Sequence, residues 1–204
     1  MKSVLISTRP KWVEKICHKI GEDEAGKAIY EKRIEVRNTA PQEVPFKCYI
    51  YETKGQYVKF THGAHTKYGY GRGKVIGEFI CDKVYKIEPI FSFCNYYSGY
   101  DDSSDSSYFE DYSIDSERLK KTCLTRQELY IYGKEKTLYG WNISNLRIYG
   151  KPKELSEFCI PCKVSCENCK NPLYFECWCE EKGKKIVTRP PQSWCYVEDL
   201  GEEE

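Results

Sequence analysis

One stretch of helical periodicity near the start, followed by a long succession of strand-like runs, limits what this chain can fold into. TRPKWVEKICHKI (residues 8–20) sets Trp12, Val13, Ile16, Cys17 and Ile20 at helical spacing. Pro10 suits a first helical turn and Gly21 a stop. The segment directly follows KSVLIS (2–7), which reads as a strand. After it come KRIEVR (32–37), FKCYIYET (46–53), KVIGEFICDKVYKIEPI (74–90, with a break near Asp82), TLYGWNISNLRIYG (137–150) and QSWCYV (192–197). Most of these runs have no helix between them. The order predicts an α+β chain: a mixed or antiparallel β-barrel with the first helix packed at one end.

The 204 residues suffice for one generous domain with excursions. Residues 62–73, HGAHTKYGYGRG, carry four glycines and read as a loop that includes His62 and His65. Residues 98–117 hold seven acidic and no basic side chains, the pattern of a solvated, flexible insertion. TRQEL (125–129) has the Thr-x-x-Glu spacing of a capping box and opens a short helix. EDLGEEE is an acidic tail.

Net charge is +1, but its distribution is uneven: residues 1–76 carry 15 Lys/Arg against 8 Asp/Glu. A basic first third attracts phosphate, and an acidic remainder limits indiscriminate binding. Arg9 and Pro10 interrupt the start where a secretory leader needs an apolar core, and no run has the length of a membrane span. These features predict a cytosolic chain, in which cysteines are thiols or metal ligands.

EKRIEVR (31–37) is the most unusual strand. Ile34 and Val36 share one parity, so Arg33, Glu35 and Arg37 point to the opposite face. Lys32 has the parity of the apolar pair and should rise at the lip of whatever they pack against. The plainest expectation is a half-buried strand with a solvated charged face.

RPKWVEKI, EKRIEVR and GKVIGEF, in that order, resemble the ASCH domain, a branch of the PUA-like barrel superfamily. The hallmark of that family is G-x-K-x-x-E-x-R; Lys32, Glu35 and Arg37 match its last three marked positions, and Tyr30 stands where the glycine is expected. The resemblance covers residues 2–90, with 137–150 and 192–197 completing the barrel. It implies a cleft between barrel and first helix that holds RNA or a modified nucleotide, lined by Lys32, Glu35 and Arg37 with Arg9, Lys11 and Trp12 beside them. Lys and Arg would meet phosphate or a base edge, and Trp12 would offer a stacking surface or simply pack in the core. One branch of the superfamily hydrolyses N4-acetylcytidine with a Lys, a Thr and a Glu. Lys32 matches the Lys, but Glu35 stands at the Thr, so a catalytic role for Lys32 and Glu35, in amide or RNA hydrolysis, is an alternative to binding alone. A third expectation, from a different class, is a protein-interaction module whose partner meets the acidic insertion.

Seven of the twelve cysteines follow residue 158. CIPCKVSCENCKNPLYFECWC (159–179) contains two C-x2-C pairs and a C-x-C, within a cysteine-rich segment spanning 159–185. Thiolates two residues apart can bind one ion from a tight turn, and the expected set is Cys166, Cys169, Cys177 and Cys179 on a structural Zn2+, with Cys159, Cys162 and Cys195 as substitutes. Four thiolates leave no open position, so such an ion would be stabilising rather than catalytic. The expected result is about one Zn2+ per chain in protein purified without added zinc, released by denaturant with a thiol-reactive agent. Elemental analysis checks it, and a metal-free chain with freely titrating thiols would overturn it.

Overall fold

β1 (Ser3–Thr8) sends Val4 and Ile6 to one face and Leu5 to the other, and all three are fully buried. It pairs in parallel with β5 (Phe46–Glu52) and antiparallel with β14 (Trp194–Val197). β8 (Val75–Cys81) and β13 (Ser144–Lys153) complete a five-stranded sheet in the order β13-β8-β5-β1-β14. The computed structural model describes residues 3–61, 65–93, 107–161 and 185–201.

A second sheet of three strands, β4 (Ile34–Arg37), β12 (Leu138–Asn142) and β9 (Val84–Ile87), has β12 at its centre. Its inner face meets the five-stranded sheet through rings. Phe46 packs edge-on against Trp141 at 5.1 Å, and Trp141 meets Trp194 at 5.9 Å. α1 (Pro10–Cys17) adds Val13 and Ile16 to this core. The outer face of the five-stranded sheet is covered too, by Phe158 and Val187 on Leu5, Tyr49 and Val75. α2 (Ser116–Thr122) and α3 (Arg126–Gly133) cover the outer face of the three-stranded sheet, where Ile34, Val36 and Leu138 pack with Leu129 and Ile114.

Three two-stranded hairpins flank these layers: β2 (Lys19–Glu22) with β3 (Ala28–Tyr30), β6 (Gln56–Thr61) with β7 (His65–Tyr70), and β10 (Pro89–Phe93) with β11 (Ser107–Tyr112). They account for several departures from the sequence reading. The first helix stops at Cys17, because His18 turns to extended backbone and residues 19–22 satisfy their amides across the hairpin; Ile20 is 54% exposed. His65–Tyr70 forms a strand inside what reads as a glycine loop. Of the acidic run, 98–106 lies outside the described residues, while Ser107–Tyr112 pairs with β10 and Ser116 begins α2. The Thr125 capping box forms as expected.

The class is α+β, but no closed barrel forms among the described residues. The two sheets are continuous only where the chain passes from β8 to β9 and from β12 to β13. Where β4 would meet β14, no backbone ladder exists. Side chains bridge the gap: Arg37 Nη1 donates to the carbonyls of Ser7 (3.0 Å) and Ser193 (3.2 Å), and Trp194 Nε1 donates to Thr39 Oγ1 (2.9 Å). Trp141 is the hinge of the inner core, so Trp141→Ala is expected to cost about 3–5 kcal/mol, read as a lower urea midpoint. A loss below about 1 kcal/mol would mean that the two sheets do not depend on this contact.

Candidate nucleic-acid site

Glu35 and Arg37 lie opposite Trp141 and Tyr139 in the β4–β12 register, so they share the inner face of the three-stranded sheet. Ile34 and Val36 take the outer face, as alternation requires. Both faces of β4 are therefore buried, and the charged side does not meet water. Lys32, Glu35 and Arg37 are 2%, 6% and 6% exposed.

The three groups form one network. Glu35 Oε1 lies 2.9 Å from Arg37 Nη2, and Glu35 Oε2 lies 3.4 Å from Lys32 Nζ. Arg37 Nη2 also donates to Thr8 Oγ1 at 3.1 Å. Lys32 does not rise at a lip. Its ammonium donates to the Thr122 carbonyl at 2.7 Å, at the C-terminal end of α2, where the helix carbonyls concentrate negative potential. It also lies 5.1 Å from the centroid of the Trp12 ring. α2 is the element that sequence reading missed, and it is what buries Lys32.

Several hydrogen-bonding atoms at this floor are unused. Glu35 Oε2, Arg37 Nε and Trp141 Nε1 are buried and make no hydrogen bond within the described protein. Natural interiors leave few such atoms without a reason.

The rim comes from two helices. Lys11 Nζ lies 4.4 Å over the Trp12 ring and 3.1 Å from Glu128 Oε1, which ties the start of α1 to α3. One helical turn after Glu128, Tyr132 presents a ring that is 40% exposed. Burial pushes its hydroxyl above the usual tyrosine value; Glu35 adds to the rise, while Arg37, Arg9 and the Asn38 backbone oppose it. The hydroxyl end thus sits among the charged groups and the ring looks outward. Nothing in the sequence pattern singles out Tyr132 or Thr8. Behind the rim, Lys15 bonds Glu31 at 2.5 Å and holds that carboxyl below its usual range, with His18 Nδ1 3.0 Å from the other oxygen.

All six residues expected from the sequence, Arg9, Lys11, Trp12, Lys32, Glu35 and Arg37, therefore lie at one end of the two-sheet core. A surface cavity of about 740 Å3, lined by Tyr51, Lys54, Leu155 and Val187 among others, shares no residue with them. Cys166, Cys169, Cys177 and Cys179 lie outside the described residues. Among the described residues no group of three or more His, Cys, Asp or Glu side chains could hold a metal. The base of the cysteine segment is closed: Ile160 N bonds the Lys185 carbonyl and Val187 N the Phe158 carbonyl, both at 2.8 Å.

Removing the carboxylate should expose the cost of this network. Glu35→Ala leaves two cations buried without a counter-charge and is expected to destabilise by about 3–5 kcal/mol, whereas Lys32→Met keeps the Glu35–Arg37 pair and costs less. Urea unfolding of both variants decides it. A Glu35→Ala loss within about 0.5 kcal/mol, as for a surface site, would mean that the network is hydrated in solution.

No family model matches the chain, and no curated protein matches it. Among solved structures it is similar to the crystal structure of ASCH from Zymomonas mobilis, at 14% identity and TM-score 0.46, over 97% of this chain and 88% of that one. It is likewise similar to the crystal structure of a ZmASCH mutant protein from the same organism, at 13% identity and TM-score 0.45, over 97% of this chain and 91% of that one.

Proposed function

We propose that this chain binds RNA or a modified nucleotide at the end of the core where α1 meets α3, with the base directed toward Glu35 and Arg37 and the phosphate toward Arg9 and Lys11. The observation that carries the reading is the buried carboxylate itself. Three desolvated charges are an expensive way to hold two sheets together, and a well-packed apolar set of similar volume would stabilise as well or better. Perturbed, buried charges grouped beneath a polar rim mark functional sites more often than scaffolding.

The unused atoms supply the matching chemistry. Glu35 Oε2 is an acceptor suited to a base amino group, and Arg37 Nε and Trp141 Nε1 are donors suited to a ring carbonyl. Trp12 and Tyr132 offer stacking faces at the rim. Entry of a base requires those two rings to shift, because the floor is sealed in the absence of ligand. Binding is favoured over amide hydrolysis, since Glu35 occupies the position of the hydroxyl that the acetylcytidine branch uses. The Thr8 hydroxyl nearby is engaged as an acceptor from Arg37.

Fluorescence anisotropy with labelled RNA, in competition with mononucleotides, tests the proposal. Wild type is expected to bind with a strong salt dependence. Reversing both rim cations, Arg9→Glu with Lys11→Glu, should weaken binding and lower the salt slope by about 1–2. Trp12→Ala should weaken it about 5- to 150-fold through lost stacking. Absence of binding to every nucleotide and RNA tried, or affinity unchanged by these rim variants, would overturn the reading.

A further inference from the structure

α3 carries three consecutive large side chains in the open. Tyr130, Ile131 and Tyr132 are 48%, 61% and 40% exposed, whereas Leu129 and Gly133 on either side are buried. With Leu129 and Gly133 against the core, helical geometry sets Tyr132 on the flank toward Arg9 and Arg37, Ile131 on the crest and Tyr130 on the far flank. The run is therefore a ridge across a helix about 10 Å wide, starting at the rim of the charged site. Lys134 and Lys136, both exposed, follow immediately where the helix ends.

Resting on the function proposed above, we propose that this ridge is a second contact surface for nucleic acid, and that the ligand is a single strand whose neighbouring nucleotide crosses α3. Two observations on the molecule select that occupant. The ridge is continuous with the charged site through Tyr132, so a chain leaving the site meets Ile131 and Tyr130 next. The flanking charges match a phosphate backbone, with Arg9 and Lys11 before the ridge and Lys134 and Lys136 after it. Aromatic faces of this kind accept unpaired bases of any sequence, and a duplex hides those faces in its stack. The charged site takes one base, and the ridge distinguishes a polymer from a free nucleotide.

The test uses the full chain and three probes: a labelled single-stranded RNA of about twelve nucleotides, the same RNA annealed to its complement, and mononucleotides as competitors. The single strand is expected to bind at least about tenfold more tightly than either of the others. Tyr130→Ala should weaken the single strand about 5- to 150-fold and leave mononucleotide affinity unchanged, while Tyr130→Phe should retain binding. Thermal unfolding of each variant confirms that it is folded, as expected for an exposed position.

Mononucleotide binding with no gain for the oligomer, or a Tyr130→Ala variant with full single-strand affinity, overturns the ridge and leaves the charged site standing. No binding of any probe by wild type overturns both. Light scattering that shows a dimer of the wild type, converted to monomer by Ile131→Ser with RNA affinity unchanged, would assign the ridge to a second copy of the chain and overturn the inference.

Discussion

Glu35 is the group on which the arrangement turns. It stands between two buried cations, and through them it connects four parts of the molecule. Arg37 reaches the ends of β1 and the approach to β14, while Lys32 reaches the last carbonyls of α2 and the Trp12 face of α1. A sheet ladder between β4 and β14 would have closed the two sheets with backbone hydrogen bonds. A guanidinium makes that junction instead, so the closure depends on a charge that must itself be neutralised.

That choice has two consequences. The junction is conditional: it holds only while the carboxylate is ionised and in place, because an isolated guanidinium or ammonium in this interior is strongly unfavourable. It also leaves polar atoms at the junction that a ladder would have consumed. The surrounding apolar packing is what makes these atoms consequential. Phe46, Trp141 and Trp194 exclude water on the inner side, and electrostatic interactions strengthen where the local dielectric falls. Rigid rings beneath and mobile long side chains at the rim form a graded site, fixed at its floor and adaptable at its mouth.

The charge asymmetry of the chain acquires a location in this frame. The basic first third wraps the end of the core where α1 begins. The acidic residues that can be described pair locally, as in Arg126 with Asp111 and Lys121 with Glu117, and so support the helices that form the other wall. Glu128 belongs to both systems, capping α3 through Thr125 and meeting Lys11 across the mouth. The same helix therefore sets the distance between the rim cations and the floor.

Much of this was readable in order of residues. Alternation in IEVR put Ile34 and Val36 on one side and Glu35 and Arg37 on the other, the Thr125–Glu128 spacing predicted a cap that forms, and the strand–helix–strand order predicted the α+β class. Those features are local, set by the period of side-chain direction and by hydrogen bonds across three or four residues. Whether the charged side of β4 faced water was not local. It depended on a second sheet packing onto that side and on α2, with Asp115 as its cap, arriving to cover Lys32. Closure of a barrel was likewise undecidable along the chain, because it turns on whether two strands 157 positions apart, ending at Arg37 and beginning at Trp194, meet by backbone or by side chain. The amino-acid order determined which groups share a face; only the packing of the sheets and helices decided which of those faces lost contact with water, and burial is what turns three ordinary surface charges into a site.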